Sequence, residues 1–251
     1  MKRNSDEGEI EKLKFAKDLY VMYHNWLSSS MITFGEMNFF KIAIANAKNS
    51  KNQSFTDAYD RLKNFLKPKG IQIEQHFYCA QYIRMVSEFE LFLTKFIIRI
   101  LLSYPQKIEN ETIPLHDAIS LKSKDSITEY VARKYLNQIM YKKPDEYLEE
   151  MCRIISFDKR LIKKEWDKYI LAKAQRDLGV HNNWVTNDIY IKKTKNANFR
   201  DIGAKNGKKV YPVIQQLIEL DITTNTLAKT ITNHSIKKFC GEKVFEKLEI
   251  E

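Results

Sequence analysis

Glycine, proline and cysteine are all scarce in this chain of 251 residues, which contains seven, five and three of them. Folds made of many short strands need frequent turns, and turns depend on glycine and proline, so their scarcity argues against a sandwich or a barrel. The three cysteines, Cys79, Cys152 and Cys240, are odd in number and far apart. They provide neither a disulfide framework nor the spacing of a zinc site, which favours a reducing compartment.

The chain also lacks a long apolar run. Its most apolar stretch, residues 89–102, is interrupted by Glu90, Lys95 and Arg99, and it is shorter than the roughly 20 residues that a membrane-spanning helix needs. Residues 1–11 are rich in charge and do not form the apolar centre of a secretion signal. We therefore expect a cytoplasmic protein that does not enter a membrane.

The residues that are abundant are apolar or basic. Hydrophobic residues make up 43% of the sequence and aromatic residues 12%, which is typical of a folded chain. The formal net charge is +10, with 42 Lys and Arg against 32 Asp and Glu. This charge favours a polyanionic partner, such as RNA, DNA or an anionic membrane surface. A surface of solvated lysines without such a partner is the alternative.

Apolar residues recur at three- and four-residue steps through most of the sequence, which is the spacing of one helix face. This periodicity predicts helices over residues 10–27, 36–47, 54–65, 74–102, 125–140, 145–155, 158–178 and 213–231. Residues 67–70 should break the chain, and Gly179 should end or kink the helix that precedes it. We expect an all-α fold, with an N-terminal helical extension over residues 1–70 and a helical domain over residues 71–251.

One short segment carries the strongest chemical signal, because Arg176 precedes His181 by only five positions. An arginine is permanently charged, and its planar fork of donors fits a phosphate bidentately. A histidine titrates near neutral pH, so it can both accept and donate a proton. Metal-free RNA cleavage needs both properties, namely proton transfer at the 2′-hydroxyl or the leaving oxygen and stabilisation of charge on the phosphorus oxygens.

The order Arg176, Asp177, three further residues and His181 resembles the signature of the HEPN family of all-helical ribonucleases. Residues 87–105 are similar to the first core helix of that family, and the resemblance extends over residues 83–245. It implies a HEPN-like helical bundle and a homodimer in which two copies of the catalytic residues Arg176 and His181 face each other. It also implies a metal-independent endoribonuclease, without a cofactor, in which the 2′-hydroxyl of the RNA attacks.

The resemblance extends to residues that would support this site. The first core helix of the family carries an acidic residue that faces the motif, and Glu90 is the candidate here, with Glu88 as its competitor. An unpaired carboxylate in an apolar stripe is costly, so Glu90 either pairs with the neighbourhood of Arg176 or faces solvent. Asp177 and Asn182 either orient His181 or contact RNA, or they are polar residues of a helix end.

A basic segment follows the motif, and between residues 192 and 209 only Asp201 is acidic. Six cations of this segment are candidates for contacts with RNA phosphates: Lys192, Lys193, Lys195, Arg200, Lys208 and Lys209. Trp184 and Tyr190 lie between the motif and this segment, and they either stack on bases or pack in the core.

The biological role is also an implication of the resemblance. HEPN ribonucleases include toxins and anti-phage defence effectors, with tRNA among their substrates, and an antitoxin or a regulatory partner would accompany such a protein. The alternative is a non-catalytic helical module that binds RNA or nucleotide, or the regulatory subunit of a two-component system. A scaffold whose basic surface is incidental is the third interpretation.

Overall fold

The protein is predominantly helical in the residues that the computed structural model describes, which are 2–70, 72–121, 123–194 and 206–250. The α-helices in these ranges are α1 (Lys2–Lys48), α2 (Gln53–Leu66), α3 (Ile73–Ser103), α4 (Leu115–Ser120), α5 (Lys124–Met140), α6 (Pro144–Ile155), α7 (Lys163–Asn182), α8 (Asp188–Thr194), α9 (Ile214–Cys240) and α10 (Glu242–Ile250). Short 3-10 turns lie at Lys67–Lys69, Pro105–Ile108 and Lys159–Leu161. The expected all-α class is confirmed.

These helices form two compact units, and neither unit is a continuous stretch of sequence. The first unit contains Met1–Trp26, Phe89–Trp166 and Asn225–Glu251, and the second contains Leu27–Glu88 and Asp167–Thr224. These units do not follow the predicted division into residues 1–70 and 71–251. That division remains a prediction about which part of the chain folds independently.

Aromatic side chains of α3 form the centre of the first unit. The rings of Phe89 and Phe92 lie 5.9 Å apart, and those of Phe92 and Phe96 lie 5.5 Å apart. Trp26 of α1 packs edge-on against Phe89 at 5.3 Å, and its indole N–H donates to Oδ1 of Asn225 at 2.9 Å. The N-terminal part of α1 is therefore an integral part of this core and is tied to α9.

In the second unit, α1 continues through a polar stretch that separates the two predicted patterns. The Ser29 hydroxyl donates to Glu88 at 2.7 Å, and Ser30 donates to Asp221. The Thr33 hydroxyl donates to the Ser29 carbonyl one turn earlier, at 3.0 Å. Because these polar side chains find partners without leaving helical geometry, the two predicted helices are one helix of 47 residues.

Most predicted helix positions are confirmed, and several ends are corrected. Asn52 caps α2 by accepting from the Ser54 backbone N–H at 3.0 Å, so this helix begins at Gln53, one residue before the predicted start. Gly70 ends the following 3-10 turn with a φ of 64°, which confirms the break at residues 67–70. Helix α3 is continuous over Ile73–Ser103, and α9 is continuous over Ile214–Cys240.

Two further properties bear on the environment of the protein. None of the helices in the described ranges combines the length and apolar character that crossing a membrane requires. Cys79, Cys152 and Cys240 are all buried, and none of them forms a disulfide.

Candidate functional site

Helix α7 carries the motif, and its C-terminal part is fixed to α3 by a buried hydrogen bond. Gln175, which precedes Arg176, is 2% exposed, and its side-chain oxygen accepts from the Tyr82 hydroxyl at 3.1 Å. Burial raises the pKa of Tyr82, so the hydroxyl remains a donor at neutral pH. This contact fixes the rotation of α7 next to Arg176. Nothing in the sequence identified Tyr82 or Gln175 as a partner of the motif.

The helix does not end at Gly179, contrary to our expectation. It continues to Asn182, so that His181 lies on its last turn and is exposed. Regular helix geometry then separates Arg176 and His181 by about 7.5 Å along the axis and about 140° around it. The two side chains therefore leave α7 on different sides.

The reason for a glycine at this point is the ring of Trp184. The chain reverses after α7 through Asn183 and Trp184, with φ angles of 48° and 62°. The Trp184 backbone N–H donates to the Leu178 carbonyl at 3.2 Å, and its ring turns back onto Gly179. A Cβ atom at Gly179 would lie 2.5 Å from Cζ2 of that ring. The glycine permits close packing rather than ending the helix.

This packing decides between the two interpretations of the aromatic residues. Trp184 is 5% exposed and packs edge-on against Tyr82, with ring centroids 6.2 Å apart. Tyr190 is 2% exposed and belongs to a cluster with Ala174 and Leu178. Both rings are core residues, so of the two alternatives the structure supports packing in the core rather than stacking on RNA bases.

Arg176 is held by its neighbour in the sequence. Its side chain is 18% exposed, and Nε lies 3.2 Å from Oδ1 of Asp177. An ion pair of this kind restricts the guanidinium without removing its charge. Asn182 has a different role, because its side-chain amide donates to the Val185 carbonyl after the helix end. Asp177 therefore lies within ion-pair distance of Arg176, and Asn182 stabilises the reversal of the chain.

The end of the basic segment returns to the motif. The Thr186 backbone N–H donates to the Lys208 carbonyl at 2.9 Å, and the Val210 N–H donates to the Trp184 carbonyl at 2.8 Å. Within the described ranges, the single β-bridge joins Val185 to Lys209 in the same place. Lys208 and Lys209 are thus exposed beside the turn that follows His181.

The other predicted RNA contacts are only partly described. Lys192 is exposed in the last turn of α8, so the basic segment begins within a helix. Lys193 lies in the same turn, but its side chain is outside the described part of the structure. Lys195 and Arg200 lie outside the described residues altogether.

The two candidate carboxylates have different surroundings. The Glu88 carboxylate accepts hydrogen bonds from Nε of Arg84 at 2.8 Å and from the Ser29 hydroxyl at 2.7 Å. Both of these partners lie in the second unit. Glu90 is half-buried in the first unit, whereas Arg176 belongs to the second. The pairing of Glu90 with Arg176 remains a prediction.

Comparisons with protein-family models, with curated proteins and with solved structures each returned no match. In the described ranges, no three His, Cys, Asp or Glu side chains lie close enough together to hold a metal ion. The interpretation of the site therefore rests on the chemistry and the placement of its own residues.

Proposed function

We propose that this chain is a metal-independent endoribonuclease of the HEPN kind, with Arg176 and His181 as catalytic residues. The observation that carries the proposal is that α7 bears both the Arg176 guanidinium and, on its last turn, the exposed His181, and that the exposed Lys208 and Lys209 lie beside the turn that follows. We further propose that it acts in the cytoplasm as a toxin or an anti-phage defence effector. A tRNA substrate and an antitoxin or regulatory partner belong to the same proposal.

The chemistry follows from the two side chains. The 2′-hydroxyl attacks the adjacent phosphorus, one His181 removes its proton, and the leaving 5′-oxygen receives a proton from a second imidazole. The products are a 2′,3′-cyclic phosphate and a free 5′-hydroxyl. Arg176 stabilises the negative charge that accumulates on the phosphorus oxygens in the transition state. Lys208 and Lys209 contribute charge that holds the neighbouring phosphates.

Two imidazoles require two copies of the chain, and the geometry of α7 supports this requirement. In one copy, Arg176 and His181 project from α7 in directions about 140° apart. Regular helix geometry therefore does not bring both side chains to the same phosphate. A second copy can supply the His181 that faces the Arg176 of the first. The active species in this proposal is a homodimer with a composite site.

An apolar surface of the second unit supports the homodimer. Only Leu66 of α2 is buried, although this helix of 14 residues has a strongly amphipathic sequence. Phe55 and Leu62 of α2 are 63% and 39% exposed, and Phe39 and Ile42 of α1 are 74% and 60% exposed. An amphipathic helix of this length is marginal in water when its apolar face is uncovered.

We assign this surface, defined by Ile32, Phe39, Ile42, Phe55 and Leu62, to the contact with a second copy. Each of these side chains is between 39% and 74% exposed, and aromatic and apolar side chains of this kind are typical of the core of a protein interface. The same unit carries the motif.

Charges placed on this surface should therefore dissociate the dimer and stop cleavage. We expect Phe39→Asp combined with Ile42→Asp to behave as a monomer in size-exclusion chromatography with light scattering, and to lose RNA cleavage at the same concentration. The matched control is Leu115→Asp combined with Ile119→Asp, which charges two exposed apolar positions of α4 in the first unit. The interface assignment fails if the Phe39/Ile42 variant remains a dimer. A wild-type chain that turns over fully as a monomer contradicts the composite site.

Cleavage should persist in excess EDTA and should require a 2′-hydroxyl at the cut. The nucleophile belongs to the substrate, so DNA and RNA carrying a 2′-O-methyl group at the scissile position should remain intact. End-group analysis of the products is expected to show cyclic or 3′-phosphates and 5′-hydroxyls. Activity that disappears with EDTA and returns with Mg²⁺ contradicts this mechanism. RNA that is bound but left intact points instead to the non-catalytic module.

A further inference from the structure

A groove of about 570 Å³ lies on the first unit where α6 ends. Its lining includes two carboxylates, Glu149 and Asp158, as well as Arg153, Lys159, Ser156 and Phe157. Ser156 ends α6 in a left-handed conformation with a φ of 54°, which turns the chain away from the helix at this point.

The 3-10 turn Pro105–Ile108 brings a cation to this groove. The ammonium of Lys107 donates to the Ser156 hydroxyl at 2.9 Å and lies 5.4 Å from the ring of Phe239. Nη1 of Arg153 donates to the Lys107 carbonyl at 3.2 Å, so the two cations are neighbours. Among the described residues, no carboxylate forms an ion pair with Lys107.

The electrostatic surroundings of Lys107 are unfavourable for a positive charge. Burial lowers the pKa of Lys107, and the charges of Arg153 and Lys238 lower it further. The nearby carboxylates are engaged with other cations. Glu149 pairs with Lys159, Asp158 pairs with Arg160, and Glu150 accepts from Nε of Arg153 at 3.0 Å. A half-buried ammonium with cationic neighbours is stabilised when an anion binds next to it.

Helix α9 packs against one residue of the groove lining. His234 and Lys238 are four residues apart, so they share one face of this helix. The ring of His234 packs edge-on against Phe157, which lines the groove, with centroids 4.5 Å apart. The positive charge of Lys238, which lies on the same face of α9 as His234, lowers the pKa of Lys107. Two residues of the groove lining, Ser156 and Phe157, are thus contacted from distant segments, by Lys107 and by His234.

We infer that a small ligand with a phosphate group binds beside this groove, held by Lys107 and the Ser156 hydroxyl, with Lys238 contributing positive charge. Arg153 takes part indirectly, because its donors already reach Glu150, Tyr135 and the Lys107 carbonyl. The inference does not depend on the ribonuclease proposal, since Arg176 and His181 belong to the second unit.

Isothermal titration of the full chain with inorganic pyrophosphate, AMP and adenosine tests the inference without any measurement of RNA cleavage. Pyrophosphate and AMP are expected to bind, and adenosine is expected to bind at least about tenfold more weakly because it lacks the charged acceptor. Lys107→Met combined with Lys238→Met should lower the affinity for pyrophosphate at least about tenfold. The matched control, Lys124→Met with Lys164→Met, removes two exposed lysines elsewhere in the first unit and should bind as the wild type does.

Thermal unfolding separates a binding role from a structural one. Without ligand, the Lys107/Lys238 variant should melt at or above the wild-type temperature, because it loses mutually repelling charges. A clear decrease in its melting temperature would assign Lys107 to the stability of the fold and overturn the inference. Failure of the wild type to bind pyrophosphate and AMP would overturn it too, and so would equal affinities in the variant and the wild type. If pyrophosphate does not bind and only the affinity for a short RNA falls in the variant, the groove is an RNA contact instead.

Discussion

His181→Ala and Arg176→Ala should each leave the chain folded and reduce RNA cleavage by at least about a hundredfold. General acid–base catalysis contributes roughly 10²–10⁴-fold, and one donor to the developing oxyanion contributes roughly 10²–10³-fold. Both residues occur twice in the proposed dimer, so each substitution affects both halves of the composite site. A time course with labelled RNA measures the loss, and circular dichroism checks the fold.

Matched variants make this result specific to the site. His116 is another exposed histidine, with 83% of its side chain accessible, and His116→Ala should cleave as the wild type does. Arg176→Lys retains the charge and loses the planar fork, so it should recover only part of the activity. Wild-type rates in either alanine variant would remove Arg176 and His181 from the mechanism.

Gly179→Ala should destabilise the protein, although alanine is the better helix former. The new Cβ atom would lie 2.5 Å from Cζ2 and 2.7 Å from Cη2 of the buried Trp184 ring, so the ring or the helix must move. Overpacking of this kind costs roughly 1–3 kcal/mol. For a chain of this size, each kcal/mol lowers the melting temperature by about 2–4 °C. Calorimetry is the direct measurement.

Gly35 provides the control, because it also lies inside a helix and a Cβ atom there meets nothing within 4 Å. Gly35→Ala should leave the melting temperature unchanged or raise it slightly. The reason is that the helix propensity of alanine is more favourable than that of glycine by up to about 1 kcal/mol. If Gly179→Ala were as stable as Gly35→Ala, the packing of Trp184 against α7 would be refuted. The displaced ring also adjoins the motif, so Gly179→Ala should reduce cleavage as well.

The helical character of the chain could be predicted because it depends on local periodicity. Helices α5 and α6 begin within one residue of their predicted starts, where Ser123 caps α5 and Pro144 opens α6. Local spacing does not reveal whether two patterns belong to one helix. The continuity of α1 depends on Glu88 and Asp221, which accept from Ser29 and Ser30 across long sequence separations.

The same limit explains the error at Gly179. A glycine near the end of a helical pattern is a common stop signal, and the sequence does not show that a ring five residues later needs that space. The return of Lys208 and Lys209 to the turn after His181 depends on bonds between Thr186 and Lys208 over 22 residues. The motif itself could be identified because its chemistry lies in two residues that are close in the sequence.

The three buried cysteines make local opening measurable in each unit. Burial raises the pKa of Cys79 and of Cys152 to about 12 and that of Cys240 to about 11, so the reactive thiolate is rare at neutral pH. Alkylation therefore requires a fluctuation that exposes the thiol. Cys79 belongs to the second unit, and Cys152 and Cys240 belong to the first. Their alkylation rates, followed by mass spectrometry in mild denaturant, distinguish units that open together from units that open one at a time.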